Sequence, residues 1–340
     1  MLPAITDIPL PALSGLAEEF ALPPYAADQL ANWLYARLAT SFEEMTDLSK
    51  AARETLAGRF SISAVRLCGR LSASDGTQKL LLAGADGERF ECVLIPSDGA
   101  RTTVCLSTQA GCAMGCAFCR TAEIGLRRDL TLGEITGQLV ELSRLAGTRV
   151  TNVVLMGMGE PLANMETVIE AIGIFRDSRA FDISRRRITL STSGLVDKLR
   201  EFVGRCDVKV AISLNATTDE VRSRIMPVNR LSPIAKIMEF AREYSRSFGD
   251  RITFEYVMIG GVNDSPDDAA RLVSLIEGVR AKINLIPFNP YEGSEFAAPS
   301  DAAVERFWRH LYDRGVQVNV RASRGAEIMA ACGQLASKNP

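Results

Sequence analysis

Histidine is almost absent: His310 is the only one in 340 residues. A Ser–His or Cys–His catalytic pair, or a multi-histidine metal site, has almost nothing to be built from. Long apolar runs are missing too. No stretch approaches the roughly 18 uninterrupted apolar residues of a membrane span. The opening MLPAITDIPLPALSG has neither the basic segment nor the apolar run of a secretory leader. The sequence therefore predicts a cytosolic chain with no membrane partner. Charge of one sign is also lacking, since 39 basic against 41 acidic residues leave −2. That balance argues against a histone-like or tail-driven nucleic-acid binder. It is uneven, however: residues 1–96 are net −4 and residues 97–340 net +2. The eight cysteines are too few for a disulfide scaffold.

What is present describes an ordinary globular chain, 47% hydrophobic and 24% charged, with a mean hydropathy of +0.07. Its length suits about two domains of roughly 150 residues, or one barrel with an attachment. From Asp28 to Phe60 the pattern is helical, with Leu30, Trp33, Leu34 and Leu38 forming one apolar stripe. From Arg66 the period changes to two, and three runs separated by Asp-Gly turns predict a β-meander ending near Pro96. We place the boundaries at a helical domain over 1–62, a meander linker over 63–96 and a barrel with C-terminal extension over 97–340.

Beyond Ser97-Asp98-Gly99, short β-rich runs at 102–108, 151–158, 187–194, 208–215, 252–258 and 282–289 alternate with amphipathic segments. This is the pattern of an α/β fold with a parallel sheet, doubly wound or closed toward a barrel. The late alternation at 316–323 predicts one added strand. The polar or glycine-rich strand ends CLSTQAGC, MGMGEP, LSTSG, SLNATT, MIGGVND and PFNPYEG all fall on one face. That face is the expected ligand site of such folds.

Two motifs on that face carry chemistry. Cys112, Cys116 and Cys119 form a Cys-x3-Cys-x2-Cys triplet just after the first barrel strand. Thiolates hold Zn²⁺ or an iron–sulfur cluster. A structural zinc wants a fourth close ligand, whereas three thiolates leave one iron of a cubane open, so the iron–sulfur reading is preferred over structural zinc or bare core cysteines. Gly157-Met158-Gly159-Glu160-Pro161 ends the second barrel strand. It is not a dinucleotide fingerprint. Its glycines permit close backbone approach, Pro161 would open the next helix, and Glu160 could hold a ligand's ammonium.

Together these motifs resemble the radical S-adenosylmethionine superfamily. More narrowly, VCLSTQAGCAMGCAFCRTAEIGLRRDLT, VVLMGMGEPLAN, RRITLSTSG, KINLIPFNP and RGAEIMAACGQL resemble the bacterial dual-specificity RNA adenine C2-methyltransferases. The segment QLANWLYARLATSFEEMTDLSK is similar to their helical RNA-binding domain. The resemblance spans about residues 15–337. It implies a partial (β/α)6 radical SAM barrel with an added C-terminal strand, preceded by a small helical N-terminal domain and a β-meander. It implies methylation of carbon 2 of an adenine in the peptidyl-transferase centre of 23S rRNA, and for some members of the adenine beside a tRNA anticodon. Further implied are a 4Fe-4S cluster on Cys112, Cys116 and Cys119, S-adenosylmethionine as cofactor, a low-potential electron donor such as flavodoxin, and a monomeric enzyme.

Carried over by motif, Gly159 and Glu160 would meet the methionine amine. Ser191, Ser213, Leu214, Asn215 and Asn289 would line its carboxylate, ribose and adenine. The family commonly has a histidine where Asn215 stands here, a departure that leaves a donor and an acceptor in place. Cys332 would carry a methyl-derived one-carbon unit, and Cys105 would release the product by forming a disulfide with it. Glu91, an isolated acid in the apolar run Phe-Glu-Cys-Val-Leu-Ile-Pro, would accept the carbon-2 proton. Cys68, Cys92 and Cys206 read as packing residues. Arg127-Arg128 and Arg185-Arg186-Arg187 either bind phosphate or form a solvated charged face. Two rivals stand beside this reading: the sister group that methylates carbon 8 of the same adenine, and an iron–sulfur RNA-binding or assembly factor without turnover.

Overall fold

In the computed structural model, which describes residues 2–97 and 101–336, the N-terminal part holds helices α1 (Leu13–Glu19), α2 (Ala26–Ala31) and α3 (Lys50–Arg59). The expected apolar stripe does not lie on one α-helix. After α2 the backbone widens into a π turn over Asn32–Ala36, where the Arg37 N–H donates to the Asn32 carbonyl at 2.8 Å. The run then stops at Leu38, whose φ is +57°. Leu30 at the end of α2 and Leu34 in the wider turn are buried nonetheless. Helix α3 starts at Ser49, whose hydroxyl accepts from the Ala52 N–H.

Three antiparallel strands follow: β1 (Arg66–Ser72), β2 (Gln78–Ala83) and β3 (Arg89–Ser97). Asp98 and Gly99 of the predicted break lie outside the described residues. β3 then pairs antiparallel with β4 (Arg101–Cys105), so the meander continues directly into the barrel sheet. From Lys79 to Ala83, β2 is buried on both faces, which is why KLLLA does not alternate.

The remaining elements run β5 (Gln109–Ala110), α4 (Arg120–Ile124), β6 (Arg128–Asp129), α5 (Leu132–Ala146), β7 (Asn152–Leu155), α6 (Met165–Arg176), β8 (Ile188–Thr192), α7 (Val196–Arg205) and β9 (Lys209–Ser213). They continue with α8 (Asp219–Ile225), α9 (Ile234–Ser247), β10 (Ile252–Met258), α10 (Pro266–Leu275), β11 (Ala281–Pro287), α11 (Asp301–Tyr312) and β12 (Val318–Val320). One ten-stranded sheet has the order β1-β2-β3-β4-β7-β8-β9-β10-β11-β12. Every neighbour pair from β4 to β12 is parallel. The sheet is open, with β1 and β12 at its edges, as expected for a partial barrel with added strands at both sides.

Strand residues such as Val153, Leu190, Val210, Phe254 and Leu285 are wholly buried in one continuous core, which also takes in Ile5, Leu30 and Leu56 of the N-terminal helices. Each such side chain is worth about 1.5–3 kcal/mol relative to exposure. Helix α5 ties the two parts together. Its capping box pairs Thr131 with Glu134, and its first turn offers the Gly133 N–H to the Asp7 carboxylate at 2.8 Å. Among the described residues, no helix is long and apolar enough to cross a membrane.

Candidate active site

Because β4 and β7 to β12 run parallel, their carboxyl ends gather on one rim, and the cysteine loop is pinned there at its base. The short ribbon of β5 and β6 pairs Gln109 with Asp129 and Ala110 with Arg128, closing the segment between them. A buried amide clamps the start of this region: the Gln138 side chain both accepts from the Ser107 N–H and donates to its carbonyl. The Ser107 hydroxyl in turn donates to the Glu91 carbonyl and accepts from the Met158 N–H.

The glycines of GMGEP are required by this packing. A Cβ on Gly157 would lie 2.7 Å from the Leu106 carbonyl oxygen, and one on Gly159 would lie 2.8 Å from the Gln109 backbone nitrogen. Gly159 also has φ +98°. Pro161 does not open a helix, contrary to expectation. Residues 161–164 form a turn, because the Asn164 side chain donates to the Thr108 and Leu130 carbonyls and holds its own backbone out of the helical region. Helix α6 starts only at Met165.

A cavity of about 160 Å³ lies between these loops. Cys112, Cys116 and Cys119 line it together with Gly159, Glu160, Ser191, Ser213, Asn215, Asn289 and Cys332. Glu160 is wholly buried, with one oxygen accepting from the Ser193 N–H at 2.7 Å and the other from the Leu162 N–H at 3.1 Å. Burial holds its carboxyl above the usual range, and lone pairs remain for a ligand's ammonium. Asn215 has φ +57°, accepts from the Val257 N–H at 2.8 Å and turns its amide toward the Met226 sulfur. Leu214 corrects the expectation. Its side chain lies in the core, and its backbone N–H and carbonyl are spent on Glu255 and Arg222.

Burial pushes the Cys112 thiol up to about 11 and raises Cys116 and Cys119 as well, with Cys112 and Cys119 both adding to the rise at Cys116. Three thiolates in that setting call for a bound cation. Among the described residues, no group of three or more His, Cys, Asp or Glu side chains is placed to hold a metal ion.

Cys105 and Cys332 meet in an adjoining cavity, which shares Cys119, Asn289 and Arg321 with the first. Both are free thiols. Burial, with a contribution from Cys332, pushes Cys105 up to about 12. Cys332 turns its surface to the cavity space, yet the surrounding walls raise its thiol too. The Asn289 amide donates to the Cys332 carbonyl at 3.5 Å, and the Ser323 hydroxyl donates to Asn289. Glu91 is not in either cavity. It is 2% exposed, paired with Lys79 at 3.0 Å, and it lines a neighbouring pocket with Arg120, Met329 and Ala336. Cys92 points to the opposite face and is wholly buried, Cys206 is buried, and Cys68 is half-buried.

Several site residues escaped the sequence reading. Glu255 of β10, a lone acid in an apolar strand, lines the main cavity. It accepts from Asn284 at 2.9 Å and stands 3.7 Å from Arg321. The lone-acid signal that singled out Glu91 would have found it. Arg222 has no such signal, since DEVRSRI reads as a plain amphipathic helix. It is wholly buried and donates to the carbonyls of Ser193, Ser213, Leu214 and Ser232 and to Asn229. Burial lowers its guanidinium pKa to about 10. Of the arginine clusters, Arg128 is spent on Asp86 and Glu134, and Arg185 on Asp207 and Asp250.

Comparisons with known proteins agree with this architecture. Residues 106–273 match the radical SAM superfamily, and residues 4–62 match the ribosomal RNA large subunit methyltransferase N-terminal domain. The chain is 47% identical to the dual-specificity RNA methyltransferase RlmN of Syntrophotalea carbinolica, over 96% of this chain and 86% of that protein. It is 49% identical to the protein of the same name from Desulfosudis oleivorans, over 92% and 85%. The crystal structure of a radical SAM methyltransferase from Sphaerobacter thermophilus, 41% identical, superposes with a TM-score of 0.95 over 99% of this chain and 100% of that one. The resemblance read from the motifs is thereby borne out, and the chain belongs to the RlmN family of radical SAM dual-specificity RNA methyltransferases.

Proposed function

We propose that this protein methylates carbon 2 of an adenine in the peptidyl-transferase centre of 23S rRNA, and of the adenine beside the anticodon in tRNA. It would do so in the cytosol as a monomer, drawing electrons from a low-potential donor of the flavodoxin kind. The observation that carries the reading is the meeting of Cys105 and Cys332 in a pocket that opens beside the cysteine-lined cavity.

Carbon 2 of adenine lies between two ring nitrogens and is electron-poor, so it does not attack a methyl donor directly. The route requires a carrier and a radical. The residues present fit the groups implied: three buried thiols on one loop lining the cavity for a 4Fe-4S cluster, and the buried Glu160 carboxylate for the amine of S-adenosylmethionine. Cys112, Cys116 and Cys119 would hold the cluster. Gly159, Glu160, Ser191, Ser213, Asn215 and Asn289 would hold S-adenosylmethionine. Bound there, the two supply a methyl group and a 5′-deoxyadenosyl radical.

The chain's own residues do the rest. Cys332 carries the one-carbon unit and brings it to the adenine. Glu91 accepts the proton from carbon 2. Cys105 attacks the Cys332 sulfur, a disulfide forms, and the electron pair of the broken sulfur–carbon bond passes to the carbon, which takes up a proton as the new methyl. Asn289 holds the carrier segment through the Cys332 carbonyl. Anaerobic reconstitution with iron and sulfide, turnover on rRNA and nucleoside analysis test this. 2-Methyladenosine is expected. 8-Methyladenosine alone would transfer the chain to the sister chemistry, and neither product would leave an RNA-binding factor.

A further inference from the structure

Lys79 of β2 is a buried cation, 8% exposed, with two partners from distant parts of the chain. Its Nζ stands 3.0 Å from Glu91 Oε1 and donates to the Met329 carbonyl at 3.2 Å. The other Glu91 oxygen accepts from the Ala336 N–H at 2.8 Å. Met329 and Ala336 bracket Cys332, so the segment that bears the cysteine is tied at one end to Lys79 and at the other to Glu91.

Sheet register explains the juxtaposition. Lys79 pairs opposite Val93, and Val93 pairs opposite Cys105. Cross-strand partners point to the same face, as do residues two apart on one strand. Lys79, Glu91, Val93 and Cys105 therefore share one face, and the C-terminal segment lies across it. With both Glu91 oxygens engaged, an adenine reaching that carboxylate must displace the Ala336 N–H. The ammonium of Lys79 can keep its hold on the other oxygen.

We propose that Lys79 is a positioning residue: one ammonium group sets both the proton acceptor and, through the Met329 carbonyl, the segment that delivers the one-carbon unit. This rests on the roles assigned above to Glu91 and Cys332. In the adduct, carbon 2 bears its hydrogen and the carbon bridge to sulfur. Glu91 takes that hydrogen as a proton and the bonding pair stays in the ring, the unpaired electron left by radical addition would return to the cluster, and Lys79 neither gains nor loses a proton. A buried pair deprived of one partner leaves the other charge uncompensated, so losing Lys79 misplaces Glu91 rather than merely loosening a strand.

The test uses the full, reconstituted chain as wild type, Lys79→Met, Lys79→Arg and Glu91→Gln. Four quantities are read: methylation of the Cys332 peptide by mass, covalent protein–RNA adduct on denaturing gels, 2-methyladenosine, and amide exchange over 329–336. Lys79→Met should keep methylated Cys332 yet lose roughly 10²-fold in product, the scale of a misplaced general base. It should accumulate adduct as Glu91→Gln does and speed amide exchange over 329–336. Lys79→Arg, which keeps charge and donors, should recover product. Where Lys79→Met does not fold, Lys79→Gln replaces it, with the same outcomes expected. Loss of Cys332 methylation in step with product, unrescued by arginine, would reduce Lys79 to a structural role and overturn the proposal. Wild-type turnover without adduct in Lys79→Met, while Glu91→Gln traps adduct, would overturn the role of Lys79 alone. Absence of adduct in Glu91→Gln alongside normal wild-type product would overturn the role of Glu91, and that of Lys79 with it.

Discussion

Cys105, at the carboxyl end of β4, and Cys332, in the C-terminal segment, line one pocket as two free thiols. Their division of labour is testable by removing each in turn. Protein purified from cells should carry one added methyl on the Cys332 peptide. Cys332→Ala should bind iron normally and form neither methylated RNA nor adduct. Cys105→Ala should load the carrier and trap a covalent RNA adduct at Cys332. A Cys105→Ala protein that turns over at the wild-type rate would remove the resolving role from Cys105.

The cluster assignment predicts a brown protein with roughly four irons per chain. Cys116→Ala should lose that iron and its visible absorption. Metal analysis that returns stoichiometric zinc, on a colourless protein, would replace the cluster by a structural ion.

The amine site proposed beside Glu160 depends on the conformation of Gly159. Alanine there meets both φ +98° and the Gln109 backbone, a strain of about 1–3 kcal/mol. We expect Gly159→Ala to melt earlier and to bind S-adenosylmethionine at least tenfold more weakly, an order-of-magnitude figure for roughly 1.4 kcal/mol of misplacement. Equilibrium dialysis showing unchanged binding would contradict the placement of the amine beside Glu160.

The raised thiol of Cys105 gives stability a pH dependence. In the fold it stays protonated up to about 12, whereas in the unfolded chain it ionises from its ordinary value of 9.0. The folded state thus binds more protons between those values, and its stability falls as pH rises through that window. The contribution is complete below pH 9.0. Urea midpoints measured on either side of pH 9.0 should therefore drop more steeply in wild type than in Cys105→Ala. Parallel declines would mean that the thiol is not shielded.

Much of the molecule is legible in one dimension. Strands β7 to β11 follow apolar runs bounded by polar ends, and parallel pairing sends those ends to one rim. Cys112, Cys116 and Cys119 are neighbours on one loop whatever the fold does, and the GMGEP glycines announce a close backbone approach that the Leu106 and Gln109 contacts display. Other features were misread because local signals stop at the segment. The stripe through Leu30 and Leu38 could not reveal a π turn, and Pro161 could not reveal that Asn164 is held by Thr108 and Leu130.

The sequence by itself determined most element types, the rim on which the strand ends gather and the closeness of its three loop cysteines, since periodicity and close spacing act over a few residues. Only the tertiary structure decided which remote groups meet. It placed Cys332 beside Cys105, Arg321 near Glu255, and Arg222 beneath the ends of β8 and β9. It also set Glu91 between Lys79 and Ala336 rather than in the cavity. The physical reason is burial. A charged side chain reads as surface in any sequence, and it enters the interior only where carbonyls, an opposite charge or a backbone N–H from elsewhere in the chain replace its water.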